Sequence, residues 1–269
     1  MSENKPVSGT KEWAAHNVNC MRGCPHDCKF CYAHANAARF KRPEADNWAE
    51  EVPNPVALKK KFGKKTGAIM FPTTHDLTPG NIEYTLPMLL KMLKAGNDVL
   101  VVSKPHLDVI EKICDECEEY KAQILFRFTI GSSSDETLRA WEPGAPNIME
   151  RLKSLGHAHK LGFRTSVSME PLLETNEDEI VALVEILAPL VTDSIWIGKM
   201  NRPVERMRRN GYWVEQADKD MAEALIASQS DECILALYER LKDYPRIKWK
   251  ESIKKVVGIE IPTESGLDI

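Results

Sequence analysis

Asn17-Val-Asn-Cys20-Met-Arg-Gly-Cys24-Pro-His-Asp-Cys28-Lys-Phe-Cys31-Tyr-Ala-His34 is the stretch on which the reading of this chain turns. Four of the seven cysteines lie in it. Cys24, Cys28 and Cys31 are spaced C-x3-C-x2-C, so one short loop can wrap three thiolates around a single inorganic centre. Thiolates are soft ligands that suit iron–sulfur clusters or zinc. A structural zinc site wants four protein ligands, usually two C-x2-C pairs or one pair with histidines, and no second half stands at that spacing. Three ligands leave one metal position open, and an open position is where chemistry occurs. Cys20 makes a second C-x3-C with Cys24 but lacks the closing C-x2-C. It reads as a small buried side chain ending the first strand, with an alternate-ligand role as the other option.

Outward from this loop the chain alternates strand, loop and helix. Residues 18–20 are expected as the first strand and 33–40 as the helix after the loop. Apolar runs at 68–71, 98–103, 123–130, 164–169 and 193–198 read as further strands, several apolar on both faces as buried parallel strands are. Helical periodicity marks 82–95, 106–120, 147–161 and 178–190, and 135–141, after a Ser134 or Asp135 cap, 218–228 and 231–241 also read as helical. Residues 247–250 read as a last strand or an extended edge piece. Six strand–loop–helix units argue for an α/β fold with a parallel sheet and right-handed crossovers. The cysteines then sit on the first βα loop, at the end of the sheet where α/β barrels place active sites. Periodicity alone leaves open barrel and doubly wound sheet as alternatives.

At 269 residues the chain is long enough for one large domain with a sizeable core. Its net charge of −4 gives no general attraction to nucleic acid. No apolar run is long enough to span a membrane, and Met1-Ser-Glu-Asn-Lys-Pro has no apolar signal core. Seven cysteines, an odd number crowded into a ligand loop, fit a reducing, cytoplasmic setting rather than a disulfide framework.

The C-x3-C-x2-C loop, with Phe30 before its last cysteine and Tyr32 after it, resembles the cluster loop of radical S-adenosylmethionine (SAM) enzymes. The resemblance implies a partial (β/α)6 TIM-like barrel. It also implies a [4Fe–4S] cluster held by Cys24, Cys28 and Cys31, SAM on the fourth iron, and Phe30 or Tyr32 beside the adenine. The likeness extends to the spore photoproduct lyase-like branch through Asn19 to Ala33, Thr74-His-Asp76-Leu-Thr-Pro79 with Glu83, Ser103-Lys104-Pro105 with Asp108, and Glu142-Pro-Gly-Ala-Pro146 with Arg151. It covers roughly residues 17–175. One departure matters: where photoproduct lyases carry a hydrogen-donating cysteine, this chain has Thr73, whose hydroxyl does not donate hydrogen to a carbon radical.

Other site residues follow from their places at strand ends. Thr74 and Asp76, with Thr73, follow the second strand, where the superfamily binds the methionine amino group, although its Gly-Gly-Glu pattern is absent. Ser132 with Thr129, and Glu170 with Ser168, are candidates for the ribose hydroxyls. Ser132 reads equally as a turn serine, and Glu170 equally as a cap or a partner of Arg164 or Arg127. Lys199 and Asn201, after the sixth strand, stand where a substrate or SAM carboxylate would lie. His75 and Lys104 are candidate substrate contacts, and His26, inside the loop, is expected to face solvent, with the cluster edge as the other option. Arg202, Arg206, Arg208 and Arg209, and the run Lys59-Lys-Lys-Phe-Gly-Lys-Lys65, would suit phosphate, or be solvated surface. Cys114 and Cys117 are expected on an exposed outer helix, not at a second cluster.

The expected organisation is a loosely held lead-in over 1–16, a radical SAM partial barrel over 17–210, and a helical extension over 211–269 that closes it. The reaction would be reductive cleavage of SAM to a 5′-deoxyadenosyl radical that abstracts hydrogen from an unassigned substrate. A flavodoxin- or ferredoxin-type protein would donate the electron. Modification or repair of a nucleic acid is the alternative among enzymes. A non-enzymatic iron–sulfur or zinc protein for binding or electron transfer is the alternative outside them.

Overall fold

The computed structural model describes residues 6–266. Seven parallel strands form one sheet: β1 (His16–Asn17), β2 (Ile69–Phe71), β3 (Val99–Ser103), β4 (Ile124–Thr129), β5 (Arg164–Met169), β6 (Ile195–Ile197) and β7 (Ile247–Trp249). Their order in the sheet is their order in the chain. A doubly wound sheet reverses direction at a switch point, whereas consecutive order is that of a barrel. β1 and β7 do not pair, so the barrel is open along one side.

The strands bury both faces by alternation. Ile69, Phe71, Val99, Val101, Ile124, Phe126, Phe128, Ile195 and Ile197 point outward into the main core under the helices. Met70, Leu100, Leu125 and Trp196 point inward. The outer layer is α1 (Tyr32–Arg39), α2 (Ile82–Lys94), α3 (Leu107–Glu116), α4 (Asp135–Trp141), α5 (Ile148–Lys160), α6 (Glu177–Leu187), α7 (Pro203–Arg209), α8 (Gln216–Ser228), α9 (Asp231–Leu241) and α10 (Glu251–Val257). Short polar side chains start several of them: Ser134, Asn147, Asn176 and Ser230 each accept a hydrogen bond from a first-turn N–H.

Four expectations are corrected. The first strand is His16–Asn17, two residues earlier than 18–20, although Val18 N–H still reaches Met70 O at 3.0 Å. The seventh strand pairs parallel with β6, so a boundary at 210 would leave one strand of the sheet in the extension. α7 and α10, of seven residues each, are added to the expected helices. Val7, Glu12, Trp13 and Ala14 of the lead-in, expected to be loosely held, are buried.

That packing closes the open side of the barrel. Trp13 inserts among Met70, Leu100, Leu125 and Trp196, and its ring meets Trp196 edge-on at 5.7 Å. Glu12, 1% exposed, pairs with Lys250 at 2.7 Å, and its other oxygen accepts Glu251 N–H at 2.9 Å. Lys250 Nζ also reaches Gly9 O and lies 4.0 Å from the Trp13 ring centre. A buried charge is tolerated only when paired and hydrogen-bonded, and Lys250 meets both conditions. The N-terminal segment thus bridges from β1 to the end of β7. Residues 1–5 lie outside the described residues.

Candidate active site

The cysteine loop is fastened from four directions. At its entrance, Met21–Arg22 pairs antiparallel with Val52–Pro53. Gly23 has φ +76°, and a Cβ there would lie 2.0 Å from Glu50 O, so only glycine fits the turn. Cys24 N–H donates to Trp48 O at 2.7 Å. At its exit, Cys31 caps α1, its Sγ accepting His34 N–H at 3.4 Å. From the side, Lys29 N–H donates to Trp141 O and Gly144 N–H donates to His26 O, at 3.0 and 3.1 Å. From the C-terminal segment, Asn210 Nδ2 donates to both Lys29 O and Cys31 O at 3.0 Å, and Tyr212 Oη donates to Asp27. Gly144 has no room to spare, since a Cβ there would lie 2.0 Å from Pro25 O. Gly144→Ala is therefore expected to push the loop off its seat, destabilising the protein by about 1–3 kcal/mol and lowering bound iron per chain after anaerobic reconstitution.

The loop walls a cavity of about 440 Å³ at the C-terminal ends of the strands. Cys24, Cys28, Cys31, Phe30, Tyr32, Thr74, Asp76, Glu170 and Lys199 all line it. So do Thr73, His75, Lys104, Thr129, Ser168 and Asn201. Sequence reasoning missed the wall supplied by Ser8, Gly9, Thr10 and Trp13. The apolar Trp13 inside an otherwise polar lead-in was the signal for it.

Ser132 is not at the cavity. Its hydroxyl donates to buried Glu174 at 2.9 Å and accepts Ser134 N–H at 2.9 Å. It fastens the loop before α4, which corrects its expected place among the cofactor contacts. Cys20 is fully buried, and its backbone N–H donates to His75 Nε2 at 3.1 Å. Cys114 and Cys117 are 1% and 0% exposed, not on an outer surface. They face the sheet side of α3 among the core residues, where burial pushes both thiols up to about 12. The lysine run lies at the other end of the barrel: Lys64 reaches Gly96 O and Lys65 N–H donates to Asn97, both just before β3.

A buried polar network surrounds the cysteines. Asp76 Oδ1 accepts Leu77 N–H at 2.8 Å and the Ser103 hydroxyl; Oδ2 accepts Lys104 N–H at 3.0 Å and lies 3.2 Å from His26 Nδ1. Burial alone would raise this carboxyl, but His26, Lys104 and Ser103 together hold it well below the usual carboxylate range. Both oxygens are already engaged, so Asp76 acts as a fixed negative charge. His26 is 1% exposed rather than facing solvent, and its Nε2 lies 2.9 Å from His106 Nε2. Burial lowers His75 to about 4, so it is a neutral ring whose Nδ1 donates to Asp76 O. Lys104 lies 5.8 Å from the Phe30 ring centre and 3.7 Å from Glu142 Oε1. Burial works against its charge, yet Cys28 when ionised, Glu142 and Asp76 raise it above the ordinary lysine value. Glu142 in turn pairs with Arg151 at 2.6 Å, both fully buried. Glu170 finds Lys250 at 3.4 Å rather than Arg164 or Arg127, with 27% of its side chain still exposed. Asn19 joins the loop to the end of β2, its Oδ1 accepting Thr73 and Thr74 N–H at 2.7 and 2.8 Å.

The residues present fit an iron–sulfur centre. Three thiols with no fourth cysteine line one cavity. Burial pushes each of the three up from its ordinary value, so bare thiolates are disfavoured there and a cationic centre is what would stabilise them. Beyond them the Ser168 hydroxyl is buried, lines the cavity and has no hydrogen-bond partner among the described residues, a polar contact available to a bound molecule.

Comparison with known proteins agrees. The chain is 26% identical over 202 residues to the uncharacterized protein ORF301 of Acidianus two-tailed virus, spanning 68% of this chain and 65% of that protein. A spore photoproduct lyase mutant with dinucleoside spore photoproduct superposes with TM-score 0.56 at 14% identity, covering 93% of this chain and 79% of that one. A second mutant of that lyase, with bound AdoMet and dinucleoside spore photoproduct, gives TM-score 0.54 at 14% identity and the same coverage. At such identities the likeness is one of fold. Residues 18–187 match the Radical SAM superfamily. With the cysteine loop, the consecutive parallel strands and this match over more than half its length, the chain belongs to the radical SAM superfamily of enzymes.

Proposed function

We propose that this protein reductively cleaves SAM at a [4Fe–4S] cluster held by Cys24, Cys28 and Cys31. The convergence of these three thiols on one cavity carries the reading. Bound there, cluster and SAM supply a 5′-deoxyadenosyl radical that abstracts a hydrogen atom from the substrate.

The chain's own residues position and shield. Phe30 and Tyr32 flank Cys31 and offer ring faces to the adenine. Ser168 and Glu170 offer polar groups to the ribose. Lys104 sets a positive charge on the Cys28 side of the cavity, and Lys199 and Asn201 line it as partners for a substrate or SAM carboxylate. Asp76 holds His26 and the Lys104 backbone in place and so orients the loop rather than touching SAM. The wall of residues 8–13 and the α7–α8 segment keep water from the cavity. In this reading residues 17–210 carry most of the catalytic barrel, Asn210 at its end and Tyr212 just beyond it clamp the cysteine loop, and the segment after 210 adds β7.

The reaction consumes one electron, which we assign to a flavodoxin- or ferredoxin-type donor. All seven cysteines are free thiols, which fits the cytoplasm. No helix among the described residues is long and apolar enough to cross a membrane.

The test is anaerobic. Protein reconstituted with iron and sulfide, reduced with dithionite and given SAM is expected to form 5′-deoxyadenosine and methionine in equal amounts. A cluster that forms but never cleaves SAM would move the reading to binding or electron transfer. Zinc in place of iron would end it.

A further inference from the structure

The four arginines around α7 do not act as one patch. Arg202 and Arg209 both pair with Glu205, at 3.5 and 2.8 Å. Arg208 lies over Trp213 at 5.4 Å. Arg206 alone lines the cavity. It is half-buried, with its guanidinium 5.9 Å from the Tyr32 ring centre. Among the described residues no carboxylate stands within ion-pair distance of it. The acid nearest to it in effect, Glu170, is already held by Lys250.

The cavity's other cations are committed. Lys104 stands on the Phe30 side with Glu142 and Asp76. Lys199 pairs with Asp231 at 3.4 Å. Arg206 stands on the Tyr32 side with its donors unclaimed by any acid. A guanidinium offers five N–H donors and no acceptor, and removing it partly from water leaves those donors in need of partners. A partner cannot come from α7, whose one acid serves the two neighbouring arginines. Water can serve those donors in the open cavity, and an anionic group entering it would take that water's place.

We propose that Arg206 receives an anionic group of the substrate, a carboxylate or a phosphate, on the Tyr32 side of the cavity. The inference rests on the radical SAM reading above, since it takes the cavity to be the place where substrate meets SAM. Both anions match the planar fork of arginine in a bidentate pair. Such a contact fixes which hydrogen of the substrate faces the reacting centre. A substrate without a negative group near its reacting carbon would leave the guanidinium unpaired and bind correspondingly less well.

Phenylglyoxal labelling of the anaerobic, cluster-loaded protein tests this directly. Peptide mass spectrometry reads Arg206 beside Arg202, Arg208 and Arg209 as internal controls. Four conditions are compared: no ligand, SAM alone, SAM with inorganic phosphate, and SAM with acetate, with chloride matching ionic strength. Phosphate or acetate added to SAM is expected to slow labelling of Arg206 by about fivefold or more, with less than about twofold change at the three controls. Stronger protection by phosphate assigns a phosphate-bearing substrate, and stronger protection by acetate a carboxylate-bearing one. Full protection by SAM alone would assign Arg206 to the cofactor's own carboxylate and overturn the proposal. Equal labelling in all conditions would also overturn it.

Equilibrium dialysis with radiolabelled phosphate and acetate covers the case of a guanidinium too shielded to react. Arg206→Gln is expected to weaken anion binding about tenfold or more, and unchanged binding of both anions overturns the proposal. Neither readout requires SAM cleavage. Failure to form 5′-deoxyadenosine in the wild type would therefore reject the proposed reaction, while the labelling result would still decide the anion site.

Discussion

Cys28→Ala protein, reconstituted with iron and sulfide, is expected to bind little iron and to form 5′-deoxyadenosine more than ~100-fold more slowly than wild type, since losing even an outer partner of a metal ligand costs up to that factor. Cys24→Ala and Cys31→Ala should behave alike, because all three thiols line the same cavity and no other cysteine does. Cys20→Ala is the contrast. Its thiol is 0% exposed, lies outside the cavity and is pushed up to about 12 by burial. Its removal should leave iron content and SAM cleavage near wild type and cost about 1 kcal/mol of packing. Iron and sulfide analysis with the visible absorption of the cluster reads both outcomes. Loss of iron in Cys20→Ala with retention in Cys24→Ala would shift the ligand set and reject the assignment.

Arg151→Met is expected to give the largest loss of stability. It leaves Glu142 inside the protein with only the longer contact to Lys104 at 3.7 Å. Removing one partner of a buried pair costs about 3–5 kcal/mol. For a domain of this size each kcal/mol moves Tm by about 2–4 °C, so the midpoint should fall by roughly 6–20 °C. Iron content should fall as well, because residues 141–144 carry the contacts to Lys29 and His26 of the cysteine loop. The double variant Glu142→Leu with Arg151→Met removes both charges and should recover roughly half of the loss or more. Anaerobic thermal unfolding followed by circular dichroism compares the three. An unchanged midpoint in Arg151→Met would show that the pair does not bear on stability.

The two ion pairs near the site differ in how they could be foreseen. Glu142 and Arg151 are nine residues apart and both belong to the stretch by which the chain resembles the photoproduct lyase-like branch, although nothing in that stretch specified their pairing. Glu12 and Lys250 are separated by almost the whole chain, and no local pattern links them. Only closure of the barrel brings them together. Asn210 and Tyr212 were invisible for the same reason. They hold backbone and side-chain groups of the cysteine loop across some 180 residues, and a lone asparagine or tyrosine near a helix end carries no signal of a distant partner.

What the sequence determined by itself is what local chemistry encodes. The spacing of Cys24, Cys28 and Cys31 specifies a three-thiolate loop. Short continuous apolar runs specify buried strands, and amphipathic segments specify the helices between them. Residues that end strands, such as Thr74, Asp76, Glu170 and Lys199, had to gather at one end of a parallel sheet, because every strand of such a sheet ends on the same side. Tertiary structure decided the rest. Strand order separated barrel from doubly wound sheet, since order depends on which strands pair and not on how each is patterned. Packing took Ser132 out of the site, turned Cys114 and Cys117 inward, and engaged Asp76 completely. It also left Arg206, of four similar arginines, facing the cavity without an acid. Those outcomes rest on contacts between residues far apart in the chain, which no local pattern records.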